Sequence, residues 1–165
     1  AYSELLAIGL NLEPTLASKI QRFSSLHDVG KVGLPDSILK KEGKLTDQEF
    51  DEMQLHTRLG FEILNEAKAD PVACRIALFH HEKFDGSGYP QALTSNTIPI
   101  EARIVAVADV YDALTTRRCY KDAMPPDKAS TIILKESGKH FDPAVVRIFM
   151  QSYDRVVGIL NEYGD

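Results

Sequence analysis

Apolar residues recur every three or four positions in successive segments of this chain, which is the spacing of amphipathic helices. After Pro14, this spacing runs through Leu16, Ile20 and Phe23 and leads to His27. No segment shows the alternation of apolar and polar residues that predicts a strand. The pattern therefore predicts an all-α fold, a single helical bundle of five to seven helices.

Capping signals mark where several of these helices begin. Thr46 and Glu49 have the spacing of a capping box, and Asp70–Pro71 and Asp142–Pro143 each place a proline in a first turn. The helix after Thr46 is predicted to face inward along one stripe of residues. These are Phe50, Met53, His56, Gly60, Ile63 and Ala67.

The composition excludes several classes of protein. The 165 residues suit one domain, and the net charge of −5 argues against a protein that binds nucleic-acid polymers. No apolar run approaches the roughly 18 residues of a membrane span, so no membrane contact is expected. Cys74 and Cys119 have no metal-site or disulfide spacing. A cytoplasmic location is expected from this cysteine usage.

Histidines and aspartates fall at the ends or inner faces of different predicted helices. Nitrogen and oxygen donors without thiolate suit iron, manganese or zinc, and Asp28 could bridge two ions. Any one of these histidines, taken alone, is better explained as a core or surface residue; four of them on inward stripes favour a metal site. The candidate ligands are His27, Asp28, His56, His80, His81 and Asp109.

Asp28 and Lys31 are the candidate catalytic residues. Two metal ions about 3.5–4 Å apart would activate a water as hydroxide and stabilise an in-line phosphoryl displacement. Lys31 follows Asp28 by three residues, so one helical turn would bring its ammonium beside that water or a substrate phosphate. The alternative is an ordinary exposed lysine. The predicted chemistry is hydrolysis of a phosphoester.

Two segments resemble the signatures of the HD-GYP family, bacterial phosphodiesterases within the HD phosphohydrolases. The first is HDVGKVGLPD at 27–36, and the second is HHEKFDGSGYP at 80–90. The second includes the Gly-Tyr-Pro loop motif, Gly88, Tyr89 and Pro90. Both occur in the family's order, and the resemblance covers nearly the whole chain.

The resemblance implies a bundle of the HD-domain type with the glycine-rich loop beside the metal site. It implies that the six candidates bind two divalent ions, or three with an upstream ligand. Iron is expected first and manganese next, ahead of zinc, nickel or magnesium. Family members carry one more metal-binding histidine in the first helix, before the position of Tyr2. Residues 1–165 are thus expected to be a truncated catalytic domain, with a regulatory domain upstream.

The resemblance also implies the substrate, cyclic di-GMP, which would be opened to linear pGpG and further to GMP. Lys31 and Tyr89 are implied to contact it, and Arg118 and Lys121 are implied to hold its phosphates. Cys119 stands where the family usually has proline between those two basic residues. The Gly-Tyr-Pro loop is expected to contact GGDEF-type or other signalling domains, and a homodimer is plausible for such a bundle.

Two other functions remain open from the sequence. One is a catalytically silent cyclic di-GMP sensor or interaction module, which would bind the nucleotide without turnover. The other is an HD phosphohydrolase that acts on a different cyclic nucleotide. The Tyr89–Pro90 signature favours cyclic di-GMP, and that preference rests on the resemblance alone.

Overall fold

A computed structural model of the chain describes residues 1–117 and 122–163. Within these residues the regular structure is helical, with one isolated β-bridge between Ser137 and Phe141. Short 3₁₀ helices span Ser24–Leu26, Val29–Gly33 and Ser95–Thr97. No helix in this part of the chain has the length and apolar composition that a membrane span requires. The α-helices described are α1 (Tyr2–Gly9), α2 (Pro14–Phe23), α3 (Asp36–Leu39), α4 (Asp47–Glu66), α5 (Pro71–Phe79), α6 (Ile100–Thr115), α7 (Pro126–Lys135), α8 (Pro143–Gln151) and α9 (Tyr153–Tyr163).

The predicted helix starts are confirmed, together with the all-α class. At the start of α4, the Glu49 amide donates to Thr46 Oγ1 at 3.3 Å, and the Thr46 amide donates to Glu49 Oε2 at 2.7 Å. Asp70 and Asp142 cap α5 and α8 through their carboxylates, each ahead of a proline. These side chains satisfy amides that the first turn of a helix leaves without partners.

The described residues contain more α-helices than the five to seven predicted. The sequence predicts irregular structure between Gly30 and Lys44, but this segment contains most of one 3₁₀ helix and the four-residue α3. After Asp142–Pro143, the apolar spacing from Val146 to Leu160 predicts a single helix, but the structure divides it at Ser152 into α8 and α9. Periodicity does not report such breaks, because a short 3₁₀ turn or a change of axis leaves the three- to four-residue spacing almost intact.

Two apolar clusters organise the bundle. The larger includes residues of α1, α2 and α5 to α9, and its bulkiest fully buried members are Leu6, Ile20, Ile76, Ile104, Tyr111, Ile133, Phe141 and Phe149. The smaller joins α4 to α5 through Leu64, Ala73, Cys74 and Ala77. α5 packs on both α4 and α6. His56 on α4, His80 at the end of α5 and Asp109 on α6 therefore belong to neighbouring elements.

The inward stripe predicted for α4 is only partly correct. His56 and Gly60 are buried, but Phe50 keeps 46% of its surface exposed and Ile63 is also exposed. The buried side of α4 instead includes Thr57 and Leu64. The 3₁₀ helix Val29–Gly33 contacts α4 at His56, Leu59 and Gly60, in the middle of the helix.

Candidate metal centre

The six candidate ligands come from four separate parts of the fold. His27 and Asp28 lie between two 3₁₀ helices, His56 lies within α4, His80 ends α5 with His81 after it, and Asp109 lies in α6. Asp28 reaches α4 because Gly30 allows a very close approach. A Cβ at Gly30 would lie 2.0 Å from the His56 carbonyl oxygen. Only glycine fits at that contact.

Four of the six residues form a compact donor cluster. One ligand atom from each lies within 4.8 Å of the others, and the residues are Asp28, His56, His80 and His81. The Nε2 atoms of His56 and His80 are 3.5 Å apart. Asp28 Oδ1 lies 3.4 Å from His56 Nε2 and 3.8 Å from His80 Nε2.

The other oxygen of Asp28 faces a second group of donors. Asp28 Oδ2 lies 3.4 Å from His27 Nε2, and the same nitrogen lies 3.4 Å from Asp109 Oδ1. Asp28 therefore stands between two sets, with one oxygen toward His56 and His80 and the other toward His27. A carboxylate in this position is able to bridge two cations.

Backbone carbonyls orient three of the imidazoles. The Nδ1 atoms of His27, His56 and His80 lie 2.7 Å from Ser24 O, 2.6 Å from Met53 O and 3.1 Å from Ile76 O, respectively. A carbonyl only accepts hydrogen bonds, so each Nδ1 carries the proton. In a neutral ring this leaves the Nε2 lone pair directed into the cluster, which is the orientation of a metal-bound histidine.

The donor set fits a divalent metal ion. Asp28 Oδ1 is buried and has no hydrogen-bond partner among the described residues. It faces the Nε2 lone pairs of His56 and His80, and lone pairs that converge at such distances repel one another unless a cation lies among them. Imidazole and carboxylate without thiolate are ligands for first-row divalent metals. The cluster is therefore able to bind a divalent metal.

Electrostatics keeps Asp28, His56 and His81 in the deprotonated form that metals require. Burial, with help from His80 and His56, lowers the pKa of His81 to about 2. Burial likewise lowers the pKa of His56. Burial raises the pKa of Asp28, but the surrounding His27, His80 and Lys31 outweigh it and hold that pKa well below its usual range.

His27 behaves differently because two carboxylates flank it. Burial lowers its pKa, but Asp109 and Asp28 together outweigh burial and raise the pKa to about 10. A proton on Nε2 then lies between the two carboxylates, at the point where a cation would bind. A cavity of about 200 Å³ adjoins His27 and Asp109 and also contacts Tyr2 and Asp112.

Lys31 lies at the edge of the cluster. Its Nζ donates to Asp28 Oδ2 at 2.5 Å, and its side chain is partly exposed. The turn predicted to carry it is a 3₁₀ helix rather than a continuing α-helix. The lysine thus adds a positive charge between Asp28 and solvent, where an anionic ligand would arrive.

The glycine-rich loop lies beside the cluster, as predicted. The Tyr89 ring stacks on His81 with centroids 4.8 Å apart, and the Tyr89 amide donates to the His81 carbonyl at 3.2 Å. A Cβ at Gly88 would lie 2.2 Å from the Lys83 amide nitrogen, so the loop needs glycine there. The Tyr89–Pro90 peptide is cis.

Glu82 anchors this loop and was not identified in the sequence analysis. It is only 2% exposed, and its two carboxylate oxygens accept from the Gln91 amide at 2.8 Å and the Leu93 amide at 2.9 Å. The available signal was its place directly after His81, inside a motif otherwise made of loop residues. Glu82 ties the segment after Pro90 to the segment that carries the histidines.

Two predicted substrate residues, Arg118 and Lys121, lie outside the described residues. The other predicted site residues, from His27 to Asp109, lie at the cluster or at the loop beside it. The basic pair implied by the resemblance therefore stays a prediction.

Comparisons with known proteins agree with the geometry. A family model described as HD domain matches residues 1–145. A Vibrio cholerae protein named cyclic di-GMP phosphodiesterase is 47% identical over 161 residues, which is 93% of this chain and 33% of that protein. A Vibrio cholerae protein named 3′3′-cGAMP-specific phosphodiesterase 2 is 46% identical over 160 residues, 96% of this chain and 31% of that protein.

The fold also matches a solved structure. A cyclic GMP-AMP-specific phosphodiesterase of Vibrio cholerae superposes with a TM-score of 0.72 at 19% identity, over 96% of this chain and 43% of that one. The chain spans about a third of the length of the two curated relatives. With the family model matched over most of its length and both signatures at one cluster, the chain belongs to the HD-domain family, in its HD-GYP group.

Proposed function

We propose that this chain is the catalytic domain of a metal-dependent phosphodiesterase that hydrolyses cyclic di-GMP to linear pGpG and, by a second cut, to GMP. The observation that carries the proposal is the position of Asp28 between two donor sets, with one oxygen directed at each. The relatives named for cyclic di-GMP support this choice of substrate.

The six candidate residues would hold two divalent ions. His56, His80 and His81 would bind one with Asp28, and His27 and Asp109 would bind the other with the same carboxylate. Iron is proposed first and manganese next, ahead of zinc, nickel or magnesium, and a third ion would need donors beyond these six. Bound ions would supply Lewis-acid stabilisation of the phosphoryl oxygens and would acidify a water.

The protein's own groups would then orient the substrate. Lys31 would pair with an incoming phosphate, and its hydrogen bond to Asp28 Oδ2 supports a role in holding that carboxylate in position. Tyr89, fixed over His81, would contact the nucleotide from the loop. Arg118 and Lys121 would hold the phosphates through a bidentate guanidinium and a point charge, respectively. Water would add to phosphorus while the bond from phosphorus to the ribose 3′ oxygen breaks. That oxygen would take up a proton and leave as the 3′ hydroxyl of the linear dinucleotide.

A second candidate substrate is 3′3′-cGAMP. It is favoured by the relative whose name specifies that dinucleotide, at 46% identity. Cyclic di-GMP and 3′3′-cGAMP share the phosphodiester ring and differ in one base. The same metals would serve both, so a direct comparison of kcat/KM decides between them.

We further propose that the intact protein contains more than this domain, because the curated relatives are about three times as long as the segment they share with it. A regulatory domain, a GGDEF-type partner at the Gly-Tyr-Pro loop and a homodimer all belong to this proposal. The buried free Cys74 suits a reducing compartment such as the bacterial cytoplasm.

The proposal is tested with the intact protein purified without oxygen and loaded with Fe(II) or Mn(II). We expect turnover of cyclic di-GMP, with products followed by chromatography and bound metal measured by elemental analysis. His80→Ala should lower kcat by more than about 100-fold, since even loss of groups that support a ligand costs 10–100-fold.

His140→Gln is the matched control, because His140 lies outside the donor cluster; it should keep both metal and activity. Circular dichroism checks that each variant is folded. Tight binding without turnover by the metal-loaded protein would identify a sensor instead, and neither binding nor turnover of a cyclic dinucleotide would refute the proposed function.

A further inference from the structure

Phe50 is an exposed aromatic residue at the edge of the metal cluster. It keeps 46% of its surface exposed, and its ring meets Tyr89 edge-on with centroids 6.1 Å apart. Single exposed apolar side chains are common on protein surfaces. The feature that distinguishes Phe50 is its edge contact with Tyr89, which lies beside the donor cluster.

The rings around Phe50 form a continuous series that leads to the donor cluster. Tyr89 stacks on His81 at 4.8 Å, and His81 lies against His80 at 4.1 Å. His80 is fully buried and Tyr89 is half-buried. Phe50 is thus the exposed outer member of an aromatic series whose inner members belong to the cluster.

The position of Phe50 suits one part of a nucleotide. It precedes His56 by six residues on α4, about 9 Å along the helix axis. In a nucleotide, one ribose separates the base from the phosphate. If the phosphate lies at the donor cluster, the base lies one ribose away from it. Lys31, beside Asp28, favours the phosphate at the cluster, so the base extends toward the rim.

We propose that Phe50 and Tyr89 form a base-binding corner, in which one purine of the cyclic dinucleotide stacks on the exposed ring of Phe50 while Tyr89 holds its edge. This inference rests on the proposed function and assigns Phe50 a substrate-binding role. Aromatic stacking contributes strongly to nucleotide binding and tolerates different bases. The corner therefore binds the purine of either cyclic di-GMP or 3′3′-cGAMP.

The test compares Phe50→Ala with the wild type in the intact, metal-loaded protein. We expect Kd and KM for cyclic di-GMP to rise roughly 5- to 100-fold, with kcat changed little and the preference between the two dinucleotides unchanged. Phe50→Trp should restore affinity. Inorganic phosphate, which has no base, should inhibit both proteins with the same Ki.

Leu55→Ala is the matched control, because Leu55 lies on the same helix with 47% of its surface exposed and has no aromatic face. It should leave Kd and KM unchanged. The inference is overturned if Phe50→Ala binds like the wild type, if Leu55→Ala weakens binding equally, or if the Ki for phosphate changes in parallel. If the wild type neither binds nor hydrolyses a cyclic dinucleotide, the proposed function is overturned together with the inference. If the wild type is active and only the Phe50 results disagree, the inference alone fails.

Discussion

Asp28 is the residue on which the candidate site depends most. One of its oxygens faces His56 and His80, and the other faces His27 and accepts from Lys31. Its neighbours keep it ionised, and the lone pairs around its buried oxygen converge. At the scale of single residues, the site thus brings together negative charge and nitrogen lone pairs. A bound cation would relieve the repulsion among them.

His27 should make the stability of chelator-treated protein depend on pH. Its pKa rises from 6.5 to about 10 in the folded chain, so its protonated form favours folding. This contribution is complete below about pH 6.5 and is lost as the pH rises toward 10. We expect the melting temperature in EDTA to fall over that interval, measured by circular dichroism at several pH values.

His27→Gln separates this effect from the titration of other groups. Glutamine cannot be protonated in this range. The melting temperature of the variant should therefore fall less than that of the wild type between pH 6.5 and 10, the interval between the ordinary and the raised pKa of His27. Parallel pH profiles for the two proteins would contradict the assignment of the proton to His27.

At the scale of elements, the contact between the 3₁₀ helix Val29–Gly33 and α4 positions the site. Gly30 and Gly60 allow the two backbones to touch, and this brings Asp28 against His56. The first signature contains Gly30 and the stripe on α4 contains Gly60, but their pairing depends on the approach of two segments that are distant in the chain. The 3₁₀ helix that follows Asp28 has only five residues, so packing against α4 holds it more than its own hydrogen bonds do.

Gly30→Ala should disrupt this contact. A Cβ there would lie 2.0 Å from His56 O and 2.3 Å from Gly60 N, both backbone atoms, so the two segments must separate. We expect the free energy of unfolding to fall by about 2–3 kcal/mol and the bound metal to decrease. Urea denaturation and elemental analysis measure the two effects.

Gly158→Ala in α9 is the control, because a Cβ at Gly158 meets nothing within 4 Å. Alanine in an exposed helix position should leave the protein as stable as the wild type or raise its stability by up to about 1 kcal/mol. If Gly30→Ala is as stable as Gly158→Ala and retains its metal, the close contact does not hold the site.

At the scale of the whole molecule, the site lies where two apolar clusters meet. α4 and α5 share the small cluster, while α5 also enters the large core through Val72 and Ile76. α6 enters the same core through Tyr111, two residues after Asp109, so the large core holds α6 in place. Loss of core packing should destabilise the fold without changing the chemistry of the donors.

Phe149→Ala tests this separation of stability from chemistry. Phe149 is buried and its ring lies 5.0 Å from that of Tyr111. We expect the free energy of unfolding to fall by about 3–5 kcal/mol, while metal content well below the melting temperature stays near that of the wild type. Leu134→Ala, at a half-exposed position, should cost less than about 0.5 kcal/mol.

Loss of metal from Phe149→Ala while it is still folded would show that the core sets the donor geometry directly. In that case the stability of α6 and the affinity of the site could not be treated as separate properties.

The sequence by itself determined the helical class and several helix starts, and it predicted the candidate donors. These features depend on local interactions: the three- to four-residue spacing, the capping of Thr46 by Glu49, and the adjacency of His27 to Asp28 or His80 to His81. Local patterns were wrong in two places: the stripe on α4 predicted Phe50 to be buried, and the apolar spacing after Asp142–Pro143 predicted one helix where the structure has a break at Ser152.

Only the tertiary structure decided how the donors divide around Asp28, that His27 pairs with Asp109, and that Glu82 anchors the loop. It also decided that Phe50 lies exposed at the rim. Each of these depends on which helix faces meet and how closely, as at the backbone contact of Gly30 with α4. Such contacts join residues far apart in the chain, so residue spacing specifies the ligands while packing specifies their geometry.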